Sequence, residues 1–187
     1  VHVILITGEG DKFFCAGADI AMLQELTPET KYYFCLHANE TLVRLEQTPK
    51  LVIAALNGHT VGGGLEVAMG CDMRIARQGR GKIGLPEVHL GVLPGTGGTQ
   101  RLTRMVGKSK AIELMVEGRN LSFEEGLELG LINRVVEAES ALDFRAKAVA
   151  WAHTFCPPGR ASGAGGLIKR ACQTGGEASL DVGLALE

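Results

Sequence analysis

Three consecutive glycines, Gly62, Gly63 and Gly64, stand directly before Leu65-Glu66 and a short apolar stretch that ends near Gly70. A helix beginning here leaves its first N–H groups without intrahelical partners, and those groups carry the positive end of the helix dipole. With no side chains on the glycines, a ligand oxygen can approach the donors closely. Glu66 sits just inside the helix. The stretch therefore sets donors for a developing negative charge beside a group able to act as acid or base. A structural explanation also fits, because glycines make flexible turns and the dipole alone favours a glutamate in a first turn. Taken alone, the stretch leaves both open.

The flanking residues supply the elements that must hold it. Residues 51–56 form a continuous apolar run that reads as a buried strand, with Asn57-Gly58 as the turn ending it. Residues 1–6 read as an earlier strand, followed by a turn and then by Ala16, Gly17 and Ala18, whose small size leaves room against the backbone. Thr27 as cap and Pro28 in the first helical position start a helix that reaches about Gln47, with Tyr33, Leu36, His37, Leu42 and Leu45 as inward positions. Thr48-Pro49 closes it. Residues 72–76 alternate as a strand and 82–85 are extended. A second glycine cluster, Gly95-Thr96-Gly97-Gly98, then enters another helix. Residues 109–117 have helical spacing, and Ser122 with Glu125 makes a capping box for a helix ending at Gly130. A strand over 131–136 and a helix over about 140–155, stopped by Pro157-Pro158, complete the pattern. Strands alternating with helices predict an α/β fold with parallel strands and right-handed crossovers.

Composition narrows the classes further. A chain of 187 residues is most simply one domain with a substantial core. Apolar content of 45% and charged content of 21% are ordinary for a soluble globular protein. The 19 basic and 21 acidic residues form no long run, which argues against a nucleic-acid or anionic-membrane surface. Cys15, Cys35, Cys71, Cys156 and Cys172 are odd in number and include no C-x-x-C pair. They point to a reducing compartment, with the thiols serving as small buried apolar groups. No apolar run reaches the roughly 18 residues that span a bilayer, and no secretory leader pattern is present. A cytoplasmic location is expected, although Val1 is not a methionine and a leader ahead of it stays open.

Other motifs are set aside on spacing. Gly107-Lys108-Ser109 ends like a phosphate-binding loop, but Leu102 stands where that motif needs its first glycine. No G-x-G-x-x-G opens a helix after a strand, and no G-x-S-x-G elbow occurs. His2, His37, His59, His89 and His153 lack metal-ligand spacing, so no metal site is expected.

Three clusters taken together carry a family resemblance. They are Ala16-Gly17-Ala18-Asp19-Ile20; Asn57-Gly58 with Gly62-Gly63-Gly64-Leu65-Glu66; and Pro86-Glu87 with Gly95-Thr96-Gly97-Gly98-Thr99-Gln100-Arg101-Leu102. In this order and at this spacing the chain resembles the crotonase superfamily, and within it enoyl-CoA hydratases most, from Val1 to about Val136 and more weakly beyond. The resemblance implies a spiral of ββα units over residues 1–136 containing the active site, and a helical C-terminal segment over 137–187. It also implies segments before Val1 and after Glu187 that this chain lacks.

By position in the family, Ala18 and Gly63 supply the oxyanion-hole N–H donors, and Glu66 and Glu87 are the catalytic pair. Glu66 is then the base for water and Glu87 the proton donor to C2. Ala16, Gly17, Asp19, Ile20, Gly62, Pro86 and Gly95 are expected around the substrate. Without the resemblance, Glu87 reads as a loop or cap residue. The implied substrate is an acyl-CoA thioester, with CoA part of the substrate and no cofactor. No nucleic-acid or membrane partner is expected, and the implied assembly is a homotrimer or a dimer of trimers. Two rival readings remain: an enoyl-CoA isomerase, which often keeps only the glutamate at the Glu87 position, and a non-catalytic member that binds acyl-CoA or RNA.

Overall fold

The computed structural model describes residues 1–185, so the last two residues of the expected C-terminal segment lie outside the described residues. The chain winds as repeated strand–strand–helix units. The first holds β1 (Val3–Thr7), β2 (Phe13–Cys15), α1 (Ile20–Glu25) and α2 (Pro28–Gln47); the second holds β3 (Leu51–Leu56), β4 (His59–Val61) and α3 (Gly63–Met69). In the third, β5 (Met73–Arg77) and β6 (Lys82–Gly84) lead through a 3-10 turn (Glu87–Leu90) into α4 (Gly98–Val106) and α5 (Lys108–Glu117). Then come β7 (Leu121–Ser122), α6 (Phe123–Glu128) and β8 (Arg134–Val136), followed by α7 (Ala141–His153), α8 (Ser162–Gly175) and α9 (Leu180–Leu184).

The first strands of these three units and β8 join one sheet, ordered β1-β3-β5-β8 and wholly parallel, with Leu5 opposite Ile53 and Ala55 opposite Ile75. Its centre, β3, is buried on both faces, which is why its sequence is an unbroken apolar run. Alternate side chains divide between two cores. Val52, Ala54 and Leu56 pack with Leu65, Leu102 and Phe123, while Ile53 and Ala55 pack with Ile75, Phe144 and Ala148.

The second strands form a smaller sheet, β2-β4-β6-β7. This sheet departs from the sequence reading in two ways. Residues 13–15, 59–61 and 121–122 are strands too short to show any periodicity, and β6 pairs with β7 antiparallel through Ile83 and Leu121. Asn57 is more than a turn residue. Buried between the sheets, it accepts from the Gly8 N–H at 3.0 Å and donates to the Gly10 and Phe13 carbonyls at 2.8 and 3.1 Å.

Other expectations need adjusting. Of the positions predicted to face inward from α2, Leu42 is buried and Leu45 half-buried, whereas Tyr33, Leu36 and His37 are exposed. The helix meets the core only through its C-terminal half. The strand expected over 131–136 forms only at Arg134–Val136, because the Leu131 and Ile132 N–H groups turn back to the Gly126 carbonyl. Cys71 is a buried thiol whose pKa burial pushes up to about 12, but Cys172 is exposed and Cys15, Cys35 and Cys156 are intermediate. Among the described residues no helix is long and apolar enough to cross a membrane.

Candidate active site

Glu66 reaches its place because α3 is entered through glycine. Gly62 caps the helix at φ 57°, a region that residues with a side chain avoid. A Cβ on it would lie 3.3 Å from Glu87 Oε1, so the bare backbone also makes room for the second carboxyl. Gly63 is the first helical residue, and its N–H has no acceptor within the helix. The loop after β2 comes up against it. Gly17 adopts φ 90°, and a Cβ there would stand 2.8 Å from the Gly63 nitrogen. A Cβ on Gly63 would in turn lie 3.8 Å from the Ala18 nitrogen and 3.8 Å from Glu66 Oε2. Two main-chain nitrogens from separate segments therefore flank one spot within reach of a carboxylate.

The two carboxyl groups have opposite surroundings. Glu66, 2% exposed, is met entirely by donors. Its Oε1 accepts from the Thr96 N–H at 2.8 Å and the Gly98 N–H at 2.7 Å, and its Oε2 accepts from the Thr96 hydroxyl. Glu87 opens the 3-10 turn directly after Pro86, and its Oε2 is buried with no hydrogen-bond partner among the described residues. Burial raises the Glu87 pKa above the ordinary carboxylate range; its own backbone N–H opposes the rise, and the charge of Glu66 adds to it.

The remaining positions singled out in the sequence fall into two groups. Ala16, Gly17, Ala18, Gly62 and Gly63 gather where β2 and α3 meet, with the Ala16 carbonyl 3.6 Å from a Cβ placed on Gly62. Gly95 lies in the loop beside Glu66, and its carbonyl accepts from the Asn39 amide at 3.0 Å. Asp19 and Ile20 instead begin α1. The Asp19 carboxylate caps that helix, accepting from the Ala21 N–H at 2.8 Å and the Met22 N–H at 3.3 Å, while Ile20 is exposed. Thr96 and Gly98 were missed as site residues although the motif containing them was recognised. Two of their three contacts with Glu66 come from main-chain N–H groups, which side-chain chemistry does not reveal.

Two main-chain nitrogens converging beside two unlike carboxyl groups make an arrangement able to move protons and to stabilise negative charge on a bound oxygen, the equipment of an acid–base enzyme. The enoyl-CoA hydratase/isomerase family model matches residues 1–164. The chain belongs to that family, within the crotonase superfamily. It is 41% identical to the short-chain-enoyl-CoA hydratase of Clostridium acetobutylicum over 187 residues, covering 100% of this chain and 69% of that relative. It is 45% identical over 142 residues to the crotonyl-CoA hydratase of Syntrophomonas wolfei, covering 76% of this chain and 54% of that relative. A solved enoyl-CoA hydratase structure from Geobacillus kaustophilus superimposes with a TM-score of 0.93 at 44% identity, covering 99% of this chain and 68% of that one. The chain thus spans between about half and two thirds of the length of these relatives.

Proposed function

We propose that this chain carries the catalytic core of an enoyl-CoA hydratase, adding water reversibly and syn to a trans-2-enoyl-CoA to give a 3-hydroxyacyl-CoA. The observation that carries the reading is the contrast between Glu66, buried and surrounded by donors, and Glu87, half-buried with its Oε2 shut away from solvent and unpartnered. A hydratase needs one carboxylate that accepts a proton and one carboxylic acid that gives one, and environments of opposite kind divide the two roles.

In this reading the thioester oxygen lies against the Ala18 and Gly63 N–H groups. Glu66 takes a proton from water as the oxygen of that water bonds to C3. The C2–C3 π electrons move toward the thioester, and the enolate charge builds on the oxygen held by the two donors. Each such donor is typically worth roughly 3 kcal/mol. Glu87 then gives its proton to C2. The cycle closes when Glu66 loses its proton and Glu87 regains one by way of solvent. Main-chain donors and carboxyl groups suffice for these steps, so the reading includes no cofactor beyond the CoA of the substrate.

The product class suits a step of fatty-acid β-oxidation. Family precedent further suggests a homotrimer or a dimer of trimers. Exposed apolar residues such as Leu90, Val92, Leu93 and Val116 support the assembly, because such residues commonly pack between subunits. The direct test follows loss of enoyl-thioester absorbance with crotonyl-CoA and a longer trans-2-enoyl-CoA. Glu66→Gln and Glu87→Gln should each lower turnover by at least about 100-fold while CoA-thioester binding persists. A folded parent chain that binds thioester without turnover would overturn the hydratase reading.

A further inference from the structure

Glu66 is fixed by a loop that cannot fix itself. The donors to its carboxylate come from Thr96 and Gly98, in a segment where Gly95, Gly97 and Gly98 leave the backbone little intrinsic stiffness. Contacts from outside the loop must hold it to within about 0.5 Å for the carboxylate to keep a productive aim.

The contacts of Arg101 supply that support. Its NH1 donates to the Thr96 carbonyl at 3.1 Å. Its Nε and NH2 donate to the two carboxylate oxygens of Glu46 at 2.6 and 2.8 Å, a bidentate pair that fixes the guanidinium plane. The Arg101 side chain is only 14% exposed and that of Glu46 28%. Gly97 lies directly under the guanidinium, and a Cβ there would collide with NH1. Glu46 belongs to α2, and Asn39 on the same helix donates to the Gly95 carbonyl at 3.0 Å. The loop is therefore clamped between the C-terminal half of α2 and the start of α4. Because Glu46 neutralises Arg101, the pair acts on Glu66 through geometry more than through net charge.

We infer that Arg101, oriented by Glu46, is a positioning residue for Glu66: it holds the Thr96–Gly98 main chain so that the carboxylate keeps the aim needed to deprotonate water. The inference rests on the hydratase reading above. Lysine at position 101 keeps the charge but cannot hold both Glu46 oxygens and the Thr96 carbonyl in one plane.

The experiment measures crotonyl-CoA hydration by the full chain carrying Arg101→Lys or Glu46→Gln, in the parent and in the Glu66→Gln background, well below each variant's melting temperature. Misplacing a reacting group by about 1 Å can cost around 100-fold, so each variant should lower kcat by about 10- to 100-fold. KM should change less than about twofold, as the thioester donors on Ala18 and Gly63 are untouched. In the Glu66→Gln background neither variant should lower kcat further, because the group being aimed has gone. A merely structural role would lower kcat in both backgrounds alike, and that result, or a parent-like kcat in both single variants, overturns the inference. Parent-like turnover by Glu66→Gln would overturn the hydratase reading, and the inference with it.

Discussion

The charge of Glu66 reaches Glu87 and helps raise its proton affinity, although the two residues sit on different turns of the chain. Glu66 is held by α3 and by the loop before α4, and Glu87 by the 3-10 turn after β6. The strand–strand–helix repeat makes this meeting possible, since β4 and β6 are parallel neighbours and the segments that follow them leave the sheet at the same end. Partial burial, and after it the like charge of Glu66, make the Glu87 carboxyl resist ionisation.

The pH dependence of both rate and stability follows from that resistance. If Glu87 donates a proton, kcat/KM falls as pH rises through its raised pKa, and this alkaline limb lies above the ordinary carboxylate range. For stability the folded-state pKa exceeds the unfolded one. The contribution is therefore full below the ordinary glutamate range and is lost as pH rises through the folded value. Glu87→Gln removes that loss, so it should melt higher than the parent near neutral pH, with the difference shrinking in acid. Melting curves over a pH series check this, and a gap that stays constant into acid would contradict it.

Gly17→Ala should injure the reaction more than the fold. Its Cβ would stand 2.8 Å from the Gly63 nitrogen, against one of the two proposed donors, and the residue would be forced to hold φ 90°. The strain is worth about 1–3 kcal/mol. Spoiling an oxyanion donor costs about 10²–10³ in kcat. Steady-state rates beside melting temperatures separate the two effects. A variant that melts lower yet turns over at the parent rate would remove Gly63 from the proposed donor pair.

Lys169 should prove a fastening of α8. Its ammonium lies 2.9 Å from Asp72 Oδ2 and donates to the Lys50 carbonyl at 3.1 Å, with side-chain exposures of only 5% and 11% for the pair. Asp72 also accepts from the Val52 N–H at 2.7 Å, tying the helix to the start of β3. Removing one partner strands a buried charge, so Lys169→Ala should cost about 3–5 kcal/mol. Lys169→Met together with Asp72→Asn should recover much of that in urea denaturation. Equal losses in Lys169→Met alone and in Lys169→Met with Asp72→Asn would show that the stranded Asp72 charge does not set the cost.

The elements legible in the sequence are those with a physical signature spread over several residues. Thr27 and Pro28 mark the start of α2 and Pro49 its end, and the Thr27 hydroxyl accepts from the Thr30 N–H at 3.2 Å. The Ser122–Glu125 capping box forms as read, with bonds of 2.7 and 3.1 Å. β3 declares itself because both of its faces are buried. β2, β4 and β7 do not, since two or three residues cannot display a period and their pairing is decided by distant segments. The apolar face assigned to α2 failed at Tyr33 and Leu36 because apolar spacing alone cannot say whether anything lies opposite. At the candidate site, Glu66 stood out beside its glycines and Glu87 only through the family resemblance, while the network around Glu66 left no mark in the sequence. Thr96 and Gly98 act there largely through their own main-chain N–H groups, and Arg101 reaches the site through the Thr96 carbonyl.

The bare backbone at Gly17, Gly62, Gly63 and Gly98 also decides how this protein would respond to genetic dissection. Truncation scanning would find the two glutamates and the Arg101–Glu46 clamp but not the main-chain donors, because it cannot delete a group belonging to every residue. Only a scan that adds bulk would trace the outline of the site, and its strongest signals would fall on residues with no side chain to lose.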